Sequence, residues 1–124
     1  MADTIPEEVL ENEYLYRGVI ELNWDFERQR VTSAAFKDSQ GVSVDRQHTR
    51  SYRQCIDFLN RSTTFFAICK VQTKDVLELN ALVKYLPIEG NPYHSEIHDS
   101  KERIQMRGAK PKRIREKSEI VYKR

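Results

Sequence analysis

Residues 93–99 hold two histidines and a glutamate at alternate positions, His94, Glu96 and His98. In a strand this alternation places the three side chains on one face. Imidazole and carboxylate groups are ligands that suit a divalent metal ion. Strand residues two apart are, however, separated by about 6.6 Å, so one straight strand cannot bring all three to an ion at about 2.1 Å. The sequence therefore favours a histidine-rich, hydrogen-bonding surface, and we expect no metal site.

Arg17 is the single basic residue among the first 27 residues, which hold eight Asp or Glu side chains. The surrounding segment EYLYRGV alternates as a strand does, with Leu15 and Arg17 on one face. A partly buried arginine needs hydrogen-bonding partners. We therefore expect an ion pair between Arg17 and Asp25, Glu27 or a carboxylate later in the chain.

The segment LYRGV around Arg17 also resembles the first strand of the arginine-serine-glutamate class of ADP-ribosyltransferases. In that family the arginine holds the phosphates of NAD, a serine follows on a later strand, and a glutamate polarises the nicotinamide ribose. The resemblance implies these three roles for Arg17, for Ser33 in VTSAA and for Glu96 in HSEIHD. It also implies NAD as the cofactor.

A second resemblance covers the middle and end of the chain. SAAFKDSQGVSVDR followed by NPYHSEI resembles a set of small bacterial proteins with Ser-Ala-Ala-Phe-Lys-Asp, Ser-Val-Asp-Arg and Asn-Pro-x-His segments in this order. The resemblance implies no activity, but it implies one polar surface lined by Ser33, Asp38, Ser43, Asp45, Arg46, Asn91 and His94. A purely structural interpretation stays open, because Asp38 and Asn91 are typical turn formers and Asp45 can pair with Arg46 or cap the next segment.

The charges of the chain are strongly asymmetric. Residues 101–124 hold ten Lys or Arg against three Glu, although the whole chain has a formal net charge of only +2. The candidate binding residues in this segment are Lys110, Lys112, Arg113 and Arg115. Such a segment can dock on the acidic part of its own chain, or it can bind an acidic protein surface or a nucleic-acid backbone.

Helix-forming patterns are found in the first half of the chain at two places. Thr4 followed by Pro6 predicts the start of a short helix that reaches about residue 12. The pattern after Ser51 is the clearest, because four side chains there fall on one helical stripe: Tyr52, Cys55, Ile56 and Leu59.

The second half of the chain alternates predicted strands and helices. TTFFAICKV and ALVKYLP frame TKDVLELN, which begins at a Thr73 cap, and together they predict a β-α-β element. KERIQMRG predicts a further helix between Ser100 and Gly108, and Lys110 is disfavoured in helical geometry because a proline follows it. The last segment, SEIVYKR, predicts an edge strand.

Composition and pattern together predict the fold class. With 124 residues, 39% of them hydrophobic and 32% charged, the chain suits one packed domain with a solvated surface. We expect an α+β fold, a single small domain with a mixed sheet and two or three helices. Residues 1–109 form its core, and residues 110–124 form a basic segment that can serve as an edge strand. Cys55 and Cys69 lack paired spacing and predict buried free thiols.

Several function classes find little support in the sequence. There is no Gly-x-Ser-x-Gly elbow, the four glycines are not clustered as in a phosphate loop, and no helix-turn-helix, zinc-finger or RNP pattern is present. No apolar run reaches the ~20 residues of a membrane span, and the acidic N-terminus differs from a signal peptide, so we expect a cytoplasmic location and no membrane partner.

These observations favour a small binding protein without a cofactor. Its basic C-terminal segment would engage an acidic protein surface or a nucleic-acid backbone. The alternative hypothesis is an NAD-dependent, ADP-ribosyltransferase-like enzyme with Arg17, Ser33 and Glu96 as its catalytic residues.

Overall fold

The computed structural model describes residues 4–61 and 63–124, and in these ranges the chain forms eight strands and three α-helices. Six strands build the main sheet in the order β6-β7-β4-β1-β5-β8, with neighbours antiparallel, and β2 and β3 form a small separate ribbon. The strands are β1 (Tyr14–Val19), β2 (Trp24–Asp25), β3 (Arg30–Val31), β4 (Val42–Arg46), β5 (Ala67–Gln72), β6 (Leu82–Tyr85), β7 (His94–His98) and β8 (Glu119–Lys123). The helices are α1 (Tyr52–Leu59), α2 (Thr73–Leu77) and α3 (Lys110–Lys117). The α+β prediction is confirmed.

The sheet has a different core on each side. Leu15 and Val19 of β1 belong to the larger cluster, which also contains Val76 of α2 and Ile114 of α3. We call this side of the sheet the α3 face. Tyr16, between them in sequence, lies in the smaller cluster with Cys55 and Ile56 of α1, on what we call the α1 face. The alternation predicted for β1 is therefore confirmed, and each fully buried side chain of this size contributes roughly 1.5–3 kcal/mol to folding.

The predicted helix after Ser51 is confirmed as α1. The Ser51 hydroxyl accepts the Gln54 N–H at 3.2 Å, and the Gln54 side-chain oxygen accepts the Ser51 N–H at 2.9 Å. This reciprocal cap satisfies two N–H groups that a helix start leaves free. Cys55 and Ile56 are buried as expected, whereas Tyr52 is 51% exposed. The smaller core cluster joins α1 to side chains of β1, β5 and β8. The side chains of β4, β6 and β7 on the α1 face do not belong to this cluster.

Two predicted helices are wrong. Residues 4–13 contain no helix, because the Pro6 and Glu8 carbonyls accept hydrogen bonds from Arg46 instead of from a following turn. Residues 100–108 are also irregular. There the Ser100 hydroxyl accepts the N–H groups of Glu102 and Arg103 in a local turn, which competes with helix formation.

The C-terminal segment belongs to the same domain as the rest. Helix α3, which the sequence did not predict, begins at Lys110 with Pro111 in its first turn, where a missing N–H costs little. Pro111 and Ile114 are buried and fasten the helix to the α3 face. Strand β8 then pairs with β5 at the edge of the sheet, as predicted.

The β5-α2-β6 segments form as predicted, except that Thr73 is the first residue of α2 and not its cap, but the two strands do not lie side by side. Three strands, β1, β4 and β7, stand between β5 and β6 in the sheet. The α2 connection therefore carries the chain across the α3 face. The cysteines are free and buried as predicted, and burial raises the pKa of Cys55 to about 11 and that of Cys69 to about 12.

Replacing Gly41 by alanine is expected to destabilise the protein by about 1–3 kcal/mol. Gly41 has a φ of +103°, and a Cβ there would lie 2.5 Å from Oε1 of Glu96 and 3.1 Å from Nε2 of His98. The matched control is Gly90→Ala, since Gly90 also has a positive φ, +81°, but nothing would meet its Cβ within 4 Å. Urea unfolding should show the larger loss at Gly41. Equal losses would mean that the contact with Glu96 adds nothing.

Candidate nucleic-acid interface

The three residues implied by the ADP-ribosyltransferase resemblance do not converge. Tyr16 pairs with Asp45 and Ser43 pairs with Glu96, so Glu96 lies on the α1 face. Arg17, one residue after Tyr16, points to the α3 face. Ser33 begins a 3-10 turn, Ser33–Phe36, outside the sheet. No described cavity contains more than one of these three residues, so the structure does not bring them together as the predicted nicotinamide site requires.

Arg17 instead ties the 3-10 turn to the sheet. Its Nε donates to the Ala35 carbonyl and its Nη1 to the Ser43 carbonyl, each at 3.0 Å. Burial lowers the pKa of its guanidinium. Among the described residues Arg17 makes no salt bridge, so the expected ion pair with Asp25, Glu27 or a later carboxylate does not form; Asp25 bonds Arg28 at 3.2 Å instead. Arg17 is a structural residue.

Two further residues of the predicted polar surface lie elsewhere. Arg46 is 1% exposed and points to the side opposite Asp45, where its Nε and Nη2 donate to the two carboxylate oxygens of Glu13 at 3.0 and 2.9 Å. Adjacent strand residues point to opposite faces, so Arg46 and Asp45 cannot share a surface. Asp38 is exposed and accepts the Gln40 N–H at 2.8 Å, as a turn former does.

Four residues of that predicted surface do meet. Ser43 and Asp45 from β4, His94 from β7 and Asn91 before it line one cavity of about 190 Å³ on the α1 face. We call this cavity the polar cleft; its lining on the α1 face also includes Gly18, Leu59 and Phe65. In it the Asn91 amide donates to Asp45 at 2.8 Å, and His94 Nε2 lies 3.3 Å from the Ser43 hydroxyl.

His94, Glu96 and His98, which alternate along β7, make hydrogen bonds within the chain. Glu96 Oε1 lies 2.8 Å from His98 Nε2, and His94 contacts Ser43 and the Leu86 carbonyl. Within residues 4–61 and 63–124, no three His, Cys, Asp or Glu side chains are grouped to hold a metal ion.

Of the four basic residues predicted to bind a partner in the C-terminal segment, Lys110 is occupied by contacts within its own chain. Lys110 is held in place, since its Nζ lies 3.2 Å from Asp99 Oδ1 and donates to the carbonyls of Asp99 and Asn80 at 2.9 and 3.2 Å. Burial favours a higher pKa for Asp99, but hydrogen bonds from Arg107 and Lys110 outweigh it and lower that pKa. Lys110 thus docks on its own chain, which removes it from the set of available cations.

Helix α3 and the β2–β3 ribbon enclose a cleft between them. One cavity there, of about 220 Å³, is lined by Asp25, Arg30, Thr32, Ser33, Lys112 and Arg115. An adjacent cavity of about 270 Å³ shares Arg30 and Arg115 and adds Val31, Glu116, Ser118 and Ile120. We call the two together the basic cleft. Because buried Pro111 and Ile114 fix the orientation of α3, Lys112 and Arg115 are positioned along one wall.

The acidic residues of the basic cleft are already paired. Asp25 binds Arg28, whose N–H on the carboxylate is the main cause of the lowered pKa of Asp25. Glu116 forms a salt bridge with Arg113 at 3.3 Å. Arg113, which was predicted to bind a partner, is therefore already paired. Among the described residues, Arg30, Lys112 and Arg115 make no ion pair. The cleft therefore has three cations available for an anionic ligand.

Sequence reasoning found part of the basic cleft and missed the rest. Lys112 and Arg115 were predicted from the charge run, and Ser33 was predicted for a different role. Arg30 and Thr32 were missed, because only folding brings the ribbon against α3. The Thr32 hydroxyl is buried and has no hydrogen-bond partner within the described chain, which leaves a donor at the cleft.

None of the helices in the described residues has the length and apolar character needed to cross a membrane. Comparison with known proteins gives no family for this chain: no family model, no curated protein and no solved structure matches it.

Proposed function

We propose that the protein binds the phosphate backbone of single-stranded nucleic acid in the basic cleft. The observation that carries the proposal is the meeting of Arg30 from the ribbon with Lys112 and Arg115 from α3 around two adjoining cavities. No described carboxylate forms a salt bridge with any of these three cations, and the two acidic residues of the cleft, Asp25 and Glu116, bind Arg28 and Arg113 instead.

The chemistry of the cleft fits phosphate well. Arginine presents a planar set of N–H donors that matches two phosphate oxygens, and lysine adds a point charge. The orphaned Thr32 hydroxyl can donate a further hydrogen bond. Two adjoining cavities suit two successive phosphates of one chain, whereas a single small anion would use only one of them.

An exposed aromatic side chain on the same ribbon favours a single strand over a duplex. Phe26 is 56% exposed and lies between β2 and β3, so it belongs to the ribbon that carries Arg30. It packs edge-on against Phe66 with ring centroids 5.4 Å apart, and Lys123 Nζ lies 5.4 Å from the same Phe66 ring. An aromatic platform beside cations is the usual arrangement for stacking unpaired bases. A duplex would not offer its bases to Phe26.

The salt dependence of binding tests the proposal. Three phosphate contacts to a single strand release counterions with a log–log slope of about −0.7 each, so the affinity should fall with a total slope of about −2. Fluorescence anisotropy with a labelled oligonucleotide of roughly 12 nucleotides, between about 50 and 200 mM salt, measures this slope. A duplex of the same sequence and a polyglutamate peptide serve as comparison ligands.

We expect the single strand to bind more tightly than either comparison ligand. A flat salt response would contradict phosphate binding. Polyglutamate that competes as well as the oligonucleotide would show that the cleft recognises acidic protein rather than nucleic acid.

A further inference from the structure

The polar cleft lies on the opposite side of the sheet from α3, beside the C-terminal end of α1, whose last residue, Leu59, lines it. Leu59 and Phe65 form its apolar wall, and Ser43, Asp45 and His94 form its polar wall. The proposed nucleic-acid interface makes no use of these groups.

The contacts of His94 determine which of its ring nitrogens carries the proton. Nδ1 lies 2.9 Å from the Leu86 carbonyl oxygen, which can only accept, so Nδ1 carries the hydrogen in the neutral ring. Nε2 then presents its lone pair to the Ser43 hydroxyl at 3.3 Å. A hydroxyl facing a base that a third group orients is the arrangement of an activated nucleophile, and such contacts are often looser before substrate binds.

Asp45 stands beside this pair with one oxygen unused. It is the register partner of His94 across β4 and β7, and its side chain is buried at 2% exposure. Oδ1 accepts from Asn91, while Oδ2 has no partner in the described chain. Burial raises the pKa of Asp45, and the Asn91 hydrogen bond and the charges of Arg50, His94 and Arg61 oppose that rise. A carboxylate beside the imidazole favours the imidazolium that forms when His94 takes a proton.

We propose that Ser43 and His94 form a catalytic pair that hydrolyses small carboxylic esters in the polar cleft, with Asp45 as a positioning residue. Ser43 Oγ forms a bond to the ester carbonyl carbon and its proton passes to His94 Nε2. The carbon–oxygen bond to the alcohol breaks, and the alcohol leaves with that proton. Water then adds to the acyl-serine, His94 again relays the proton, and the acid and free Ser43 are released.

The cleft limits the substrate to a small acyl group. Its volume of about 190 Å³ lies below the range of about 300–1,000 Å³ typical of drug-sized ligands. Leu59 and Phe65 would contact the apolar part of the acyl group. The sequence placed Ser43 and His94 on one polar surface but gave no sign of a catalytic role for them, because the serine lies on a strand rather than in a Gly-x-Ser-x-Gly turn.

A fluorophosphonate probe tests the proposal without knowledge of the natural substrate. We expect the full-length protein to be labelled at Ser43, located by peptide mass spectrometry. Ser43→Ala should lose the label, and His94→Ala should slow labelling by about 10²-fold or more, the usual contribution of a general base. Ser39→Ala is the control, because Ser39 is also an exposed serine, four residues earlier, with no histidine contact in the described chain.

The pH profile of labelling separates a role of Asp45 in the reaction from a purely structural one. The charged groups around His94 are Asp45 from β4, Glu96 on β7 itself, and Arg50 and Arg61, which act on Asp45. Asp45→Asn keeps the shape of the side chain but removes the carboxylate beside the imidazole, so the pH profile of labelling should differ from that of the wild type, whereas a purely structural role would leave the profile unchanged. Labelling of Ser43 no faster than Ser39, or equal labelling of wild type and His94→Ala, would overturn the proposal.

Discussion

Replacing Arg46 by methionine is expected to lower the free energy of unfolding by about 3–5 kcal/mol, since it leaves a buried charge without its partner. The Glu13 carboxylate, whose side chain is 10% exposed, would lose both hydrogen bonds from the guanidinium. The Pro6 and Glu8 carbonyls would also lose a donor each. Methionine keeps much of the volume, so the loss reports the polar contacts rather than a cavity.

A double-mutant cycle checks this interpretation by urea unfolding. Glu13→Gln in the Arg46→Met background removes the stranded charge, so the double variant should be more stable than Arg46→Met alone. Limited proteolysis should also cut residues 4–13 faster in Arg46→Met, because Arg46 ties that segment to the sheet. A loss below about 1 kcal/mol would contradict the account, since an exposed ion pair is worth only that much.

The sequence predicted correctly those strands and helices that are determined by residues close together in the chain. Strand β1 follows from alternation around Leu15 and Tyr16, and α1 follows from the Ser51 cap and its apolar stripe. The helix expected at residues 4–12 failed because Arg46, more than thirty residues away, takes its carbonyls. Long-range hydrogen bonds of this kind leave no mark in a local sequence window.

The polar cleft and the basic cleft differ in how much of them the sequence reveals. Ser43 and Asp45 share a face because they are two apart on a strand, and the same rule excludes Arg46 from that face. The alternation of side chains along β4 was therefore enough to exclude Arg46 from the predicted polar surface. The position of Arg30 and Arg115 around the same cavities depends instead on how the ribbon and α3 pack together, so no spacing rule predicts it.

Reversing two charges of the basic cleft should abolish most of the nucleic-acid affinity. Lys112→Glu with Arg115→Glu removes two phosphate contacts and places two carboxylates beside the remaining Arg30. Loss of two contacts should reduce the salt slope by about 1.4 for a single strand. Neither side chain makes a salt bridge in the described chain, and Lys112 is exposed, so the fold should remain.

The most direct test of the proposed function compares this double variant with a control of identical net charge. Arg53→Glu with Lys84→Glu alters two exposed residues, Arg53 on α1 and Lys84 on the α1 face of β6, away from the basic cleft. At low salt, anisotropy with the same single-stranded oligonucleotide should show affinity reduced at least about tenfold for the cleft variant and within about twofold of wild type for the control. Equal losses in the two variants would contradict the account, because attraction by net charge alone would then explain the binding.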